Sequence, residues 1–234
     1  MPAFEQLFGI PEEQLQPTCV LTPFLPLGMT EALNIDALHR GSPFAAGQAA
    51  HFTLIHTQIG APFVGDAVLH LSDSPCRNLI LLGACGAVED NNLSIGSVVL
   101  AESALNLESF SALLTKEPHP DQTSHASQDI IAALEPLRNQ LPKVSCASLG
   151  SFYLEETYAE FLKESKIDVL EMQASAFYQS ARHILRRAVG IFYVTDILHQ
   201  RQAFDPLTPA QQAAVAAAQQ RIYRLLNDYA GRLP

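Results

Sequence analysis

Short β-forming runs alternate with longer helical patterns along this chain, and this alternation constrains the fold more than any other sequence feature. The alternation is typical of layered α/β folds, because parallel strands need a crossover of a dozen or more residues, usually a helix. We therefore predict an α/β fold, a three-layer α/β/α sandwich around a central mixed, largely parallel sheet. The predicted strands cover residues 18–21, 51–57, 78–82, 97–102, 144–147, 169–172 and 189–195.

Three further segments have clear local signals. Residues 62–72 place apolar side chains on one face at helical spacing, which predicts a crossover helix between the second and third strands. Thr208 and Pro209 have the residue types of an N-cap and a first helical position, and they predict a helix over 210–230. Residues 114–127 contain two prolines and two histidines and predict a long exposed loop.

Composition narrows the class of protein. The 14 basic residues against 24 acidic ones give a net charge of −10, which argues against binding to a nucleic-acid backbone. With 48% hydrophobic residues, the chain can fold as one domain over residues 1–234. Apolar runs stop well short of the ~18 residues of a membrane span, and the start has no secretory signal, so a cytoplasmic protein is expected. The four cysteines are expected to be buried reduced thiols, and no metal site is indicated.

The residues that follow each strand are the first candidates for chemistry, since ligands of open α/β sheets bind outside the carboxyl ends of the strands. Four segments qualify: residues 57–62, 83–87, 148–153 and 195–196. Asp196 closes the apolar run 189–194, where partial burial would raise its pKa toward the range of a general acid. A carboxylate in this position also suits a helix cap, so both interpretations stay open.

These segments, in this order, resemble the nucleoside phosphorylase family, which includes purine nucleoside and uridine phosphorylases and methylthioadenosine nucleosidase. The resemblance covers residues 18–200. It implies an enzyme of nucleoside salvage that cleaves the N-glycosidic bond of a purine or pyrimidine nucleoside without a cofactor, as a homo-oligomer, either dimer or hexamer. The matching motifs are Thr57-Gln58-Ile59-Gly60, Gly83-Ala84-Cys85-Gly86-Ala87, Gly96-Ser97-Val98-Val99, Ser151-Phe152-Tyr153, Glu171-Met172-Gln173 and Thr195-Asp196.

The resemblance also implies roles for individual residues. Asp196 would be catalytic and support the departing base. Gln173 stands where the family has a second glutamate, so a neutral amide with one acceptor and two donors would meet the ribose hydroxyls and shift the sugar preference. The base would contact Phe152, Tyr153 and Thr195, and the ribose would contact Glu171, Met172 and Gln173.

The phosphate site departs furthest from the family pattern. Family phosphorylases have an arginine after the first strand and another before the glycine loop, but residues 22–28 contain none and Leu81 occupies the second position. Gly83 and Ala84 would offer a weak anion site through backbone N–H groups, and Arg40 is the one basic residue among residues 1–76. Inorganic phosphate therefore stays open as a co-substrate, with hydrolysis as the other route.

A base that activates water would assist hydrolysis, and three residues are candidates: Glu31, Glu171 and His56. Two other classes of function remain: a catalytically inactive nucleoside-binding homologue, and a structural subunit of a hetero-oligomer in which His39 or Arg40 reaches a neighbour. The apolar stretch 44–52 is a further candidate for a subunit contact.

Overall fold

The computed structural model describes residues 4–88, 91–116, 123–137 and 141–234. Among these residues, ten strands belong to one mixed sheet. The strands are β1 (Thr18–Thr22), β2 (His39–Arg40), β3 (Ala45–Gln48), β4 (Thr53–His56), β5 (Asn78–Ala87), β6 (Val98–Leu107), β7 (Thr123–His125), β8 (Lys143–Leu149), β9 (Val169–Glu171) and β10 (Arg187–Ile197).

Helices pack against this sheet. α7 packs on α3 and on strands β6, β8 and β10, and α8 also packs on β10. No helix within the described ranges combines the length and the apolar character that a membrane span requires. The helices are α1 (Phe4–Phe8), α2 (Met29–Ala32), α3 (Ala61–Leu69), α4 (Phe110–Thr115), α5 (Gln128–Ala133), α6 (Glu155–Glu164), α7 (Ala174–His183) and α8 (Pro209–Tyr229).

The predicted α/β fold with a mixed sheet is confirmed, and parallel pairs form its longest ladders. β5 and β10 run parallel from the Asn78–Arg187 pair to the Ala87–Ile197 pair. The central strands are buried on both faces, which explains why they read as continuous apolar runs rather than as alternating patterns.

Closure of the sheet is a feature that the sequence did not predict. β5 pairs with β1 as far as Leu81 and then with β9 at Gly86 and Ala87, while β10 follows its whole length. The series of pairs from β5 through β10, β6, β8 and β9 therefore returns to β5 as a five-stranded ring. The sheet continues from β5 of the ring through four strands that do not belong to the ring, in the order β1, β4, β3 and β2.

One predicted strand end and one predicted loop are wrong. Residues 83–87, expected after the third strand, are the second half of β5, and their glycines leave room for side chains of β10: a Cβ on Gly83 would stand 3.3 Å from the ring of Phe192. Within 114–127, residues up to Thr115 belong to α4 and Thr123–His125 form β7, while 117–122 lie outside the described residues.

The two predicted helices are present, and other local predictions have mixed outcomes. α3 ends at Leu69, earlier than predicted, while α8 matches its predicted span. All four cysteines are buried and reduced. The stretch 44–52 is mainly core, with Phe44 and Phe52 buried, so these rings are not free for a subunit contact.

The amino end of α8 generates a stability prediction. Thr208 accepts a 3.3 Å hydrogen bond from the backbone N–H of Gln211, whose side chain accepts a 2.9 Å bond from the backbone N–H of Thr208. We expect Thr208→Ala to lower the free energy of unfolding by about 1 kcal/mol, measured by urea denaturation. Thr208→Ser keeps the hydroxyl and should retain most of that stability; equal losses in both variants would contradict the capping role.

Candidate functional site

A cleft of about 210 Å³ lies over β5, where β1 and β9 diverge. Because the ladder to β1 ends at Leu81 and the ladder to β9 begins at Gly86, one edge of β5 is left open between them. The walls come from the residues that follow β1, from the ends of β9 and β10, and from the start of α6. The predicted position of a site, at the carboxyl ends of strands, agrees with this cleft.

Most of the residues singled out from the sequence line the cleft. They are Ala84, Phe152, Glu171, Met172, Gln173, Thr195 and Asp196.

Six others lie elsewhere. Tyr153 is 89% exposed and borders only an adjoining compartment. Gly83 lies beside Phe192, and Arg40 is exposed on β2. Of the proposed water-activating residues, Glu31 is exposed on α2 and His56 lies outside the cleft wall, as does the exposed His39 on β2.

Asp196 is held near the end of β10. It is 6% exposed, and its Oδ1 accepts a 2.7 Å hydrogen bond from the hydroxyl of Thr195, which occupies a bulge in the ladder to β5. Burial raises the pKa of Asp196, whereas the Thr195 hydroxyl and the charge of Arg201 act in the opposite direction. Opposite it lies Gly86, where a Cβ would overlap Asp196 Oδ2, so the carboxyl position requires glycine there.

Glu171 is an internal anchor rather than a free acid. Its Oε1 accepts a 2.5 Å bond from the hydroxyl of Ser148 and its Oε2 a 2.6 Å bond from the backbone N–H of Gln173. The backbone N–H of Ala174 donates to both oxygens at 2.9 Å. Burial raises the pKa of Glu171 while these bonds lower it. Because both of its oxygens already accept hydrogen bonds from the protein, the Glu171 carboxylate is poorly suited to activate water.

Gln173 presents a buried acceptor that lacks a partner. It is 4% exposed, and its Oε1 has no hydrogen bond from any residue that the structure describes. A buried unsatisfied carbonyl is costly, and one in a cleft wall is well placed to accept a hydrogen bond from a ligand hydroxyl or amine.

Glu155, which the sequence analysis did not single out, is the third carboxyl group of the cleft. It is the first residue of α6, three positions after Phe152, and it is partly buried. Burial, followed by the charges of Asp196 and Glu156, raises its pKa from 4.5 to about 7. The available sequence signal was the position of this acid three residues after Phe152 of the aromatic motif. The effect of Asp196 on the pKa of Glu155 depends on the three-dimensional fold.

A second compartment of about 380 Å³ adjoins the first and shares Phe152, Glu155, Asp196 and Phe204 with it. The rings of Phe152 and Phe204 meet edge to face at 4.8 Å between centroids. Arg201 secures the loop that carries Phe204, since its Nη1 donates a 2.7 Å bond to the carbonyl of Thr195. The cleft is thus bounded on this side by two aromatic faces suited to a flat ring.

Comparison with known proteins agrees with this geometry. The sequence profile of the phosphorylase superfamily matches residues 20–230. The chain belongs to the phosphorylase superfamily. This result confirms the resemblance stated from the motifs, although no curated protein sequence gives a significant match.

Solved structures of superfamily members share the fold. Uridine phosphorylase from Vibrio fischeri superposes with a TM-score of 0.77 at 20% identity, covering 95% of this chain and 92% of that one. A 5'-methylthioadenosine/S-adenosyl homocysteine nucleosidase from Campylobacter jejuni gives 0.75 at 14% identity, covering 94% and 100%. Purine nucleoside phosphorylase from Toxoplasma gondii gives 0.74 at 17%, covering 100% and 98%.

In this superfamily member, the charged side chains lining the first compartment are all acidic: Glu155, Glu171 and Asp196. Lys, Arg and His are absent from its wall within the described part of the chain. The corner next to the end of β1 is formed by Pro23, Phe24 and Ala84, which supply no charged donor. This lining disfavours a phosphate dianion and favours neutral or cationic ligands.

The anchor role of Glu171 leads to a prediction. Glu171→Ala would leave the Ser148 hydroxyl and two backbone N–H groups buried without their acceptor. We expect a loss of about 3 kcal/mol in the free energy of unfolding, measured by denaturant titration. Glu164→Ala, at an exposed position of α6, should change stability by less than about 0.5 kcal/mol. Similar values for the two variants would contradict the anchor role.

The raised pKa of Glu155 predicts a pH-dependent stability. An acid whose pKa is higher in the folded state binds more protons folded than unfolded, so stability falls as pH rises from 4.5 to about 7. Glu155→Gln removes this loss. The melting temperature of the variant relative to wild type should therefore be higher at about pH 8 than at about pH 5.

Glu160→Gln, an exposed change on the same helix, is the matched control and should give the same difference at both pH values. A Glu155→Gln difference that does not vary with pH would show that the carboxyl group titrates normally.

Proposed function

We propose that this protein hydrolyses the N-glycosidic bond of a nucleoside. One observation carries the choice of water over phosphate: the charged side chains of the first compartment are carboxylates alone, and its β1 corner is apolar. The second compartment adds Arg201, which is bonded to the carbonyl of Thr195. Membership of the superfamily supports N-glycosidic cleavage. The relatives named above are phosphorylases or a nucleosidase, so the comparisons give no support to the non-catalytic binder.

The proposed orientation of the nucleoside follows from the two ends of the cleft. The base would lie against the face of Phe152, which is 40% exposed, and the sugar would lie toward Met172 and Gln173. The unpartnered Oε1 of Gln173 would then accept a hydrogen bond from a sugar hydroxyl. In this orientation, Asp196 is near the departing base and would hold it through a hydrogen bond from a base N–H.

The acidic lining also suits the transition state. As the glycosidic bond breaks, positive charge develops on the sugar ring, and fixed carboxylates nearby stabilise it. Water is neutral and enters this lining at a lower desolvation cost than phosphate, which would have to lose its hydration without gaining a cationic partner. The proposed reaction requires water and no cofactor.

Phosphorolysis in the first compartment would need a cation from outside its wall. Arg40 is exposed on the outer strand β2, so a second copy of the chain could receive it. Exposed apolar side chains support a homo-oligomer, since Leu27 and Ile59 follow β1 and β4 on the surface. We also propose a cytoplasmic location, which the four reduced cysteines support.

The central experiment follows release of free base. A panel of purine and pyrimidine nucleosides is incubated with the protein, with and without inorganic phosphate, and the free base is measured by chromatography. Release that is independent of phosphate is expected. Release only with phosphate would overturn hydrolysis, and ligand-induced thermal stabilisation without release would overturn catalysis.

Asp196→Ala tests the catalytic assignment in the same assay. We expect at least about a 100-fold loss in kcat, since the hydrogen bond of Asp196 positions the base and a misplacement of about 1 Å can cost that much. Asp228→Ala, at an exposed position of α8, should keep wild-type activity. Full activity in Asp196→Ala would remove Asp196 from the mechanism.

A further inference from the structure

We infer that Glu155 is a second catalytic residue, which donates the proton that the departing base takes up. This inference rests on the proposed function and deepens it. Glu155 borders both compartments of the cleft together with Asp196 and Phe152, at the end assigned above to the base. Gln173 and Met172, assigned to the sugar, border only the first compartment.

The three carboxyl groups of the cleft differ in how free they are to meet a ligand. Both oxygens of Glu171 accept hydrogen bonds from the chain, and Oδ1 of Asp196 is bonded to Thr195. Oδ2 of Asp196 faces Gly86 at a position where a Cβ would overlap it. The carboxyl group of Glu155 has no hydrogen bond from any residue in the described ranges, so it is the one free to approach the base.

The electrostatic surroundings keep a proton on Glu155 close to neutrality. Partial burial disfavours its charge, and Asp196 and Glu156 add repulsion, which raises the pKa of Glu155 to about 7. The amino end of α6 acts in the opposite direction and would stabilise the carboxylate after proton loss. The other ionisable groups of the two compartments are Glu171, Cys85, Arg201 and Tyr153.

The division of roles within the pair follows from these positions. Asp196 raises the pKa of Glu155 by its charge and accepts a hydrogen bond from a base N–H. Glu155 holds the transferable proton. A carboxyl group with a pKa near 7 is suited to proton transfer at neutral pH.

The proposed step balances as a hydrolysis. The electron pair of the C–N glycosidic bond moves to the base nitrogen, and the carboxyl proton of Glu155 passes to the base, which leaves neutral. Water adds to the sugar carbon and loses one proton to solvent, and solvent returns a proton to Glu155. Nucleoside and water are thus converted to free base and free sugar.

The test compares two leaving groups in wild type and in Glu155→Gln. One substrate is the nucleoside cleaved most rapidly in the base-release assay, whose base needs a proton. The other is para-nitrophenyl β-riboside, whose leaving group departs as a stable anion. We expect Glu155→Gln to lower kcat for the nucleoside by about 100-fold and to change kcat for the nitrophenyl riboside by less than about 3-fold.

The pH profile supplies a second readout. In wild type, kcat for the nucleoside should fall above about pH 7 as Glu155 loses its proton, and this limb should be absent from the residual activity of Glu155→Gln. Glu160→Gln is the control and should keep both the rate and the profile.

The outcomes separate this inference from the proposed function. If wild type cleaves neither substrate, the proposed function fails. If wild type cleaves both, and Glu155→Gln either keeps full nucleoside activity or loses both activities to the same extent, the proposed function stands and the role of Glu155 as proton donor is overturned.

Discussion

The buried carboxylate of Glu171 holds the site together. It joins the hydroxyl of Ser148 at the end of β8 to the first backbone N–H groups of α7, at the point where β9 ends. A helix start buried in a closed sheet needs acceptors for its free N–H groups, and a carboxylate is the strongest acceptor available. The same bonds fix Met172 and Gln173 in the wall of the cleft, so the sugar end depends on this anchor.

Much of this architecture could be predicted from the sequence, because local patterns determine it. Apolar runs bounded by turn residues located seven strands, and the Thr208 cap located α8. The position of Asp196 after an apolar run indicated a buried acid with a raised pKa, and its pKa direction agrees. These features depend on residues close together in the chain.

The features that escaped prediction depend on residues far apart. Gly83 and Gly86 are expected beyond the end of a strand, but they lie within β5, where Phe192 and Asp196, more than a hundred positions later, leave no room for a larger side chain. The ring closes through the pairing of β5 with β9, which has no local signal. The raised pKa of Glu155 has no local signal, because it comes from burial and from the charge of Asp196, far along the chain. Each case reflects a neighbour that only the folded chain supplies.

The pairing of Gly86 sets a dimension of the site. This residue is in register with Leu170 of β9 on one side and with Asp196 of β10 on the other. Neighbouring strands lie about 4.8 Å apart, so the backbones that carry the two ends of the cleft are held at most roughly 10 Å apart. Backbone pairing of β5 with its two neighbours therefore sets the distance between the sugar end and the base end.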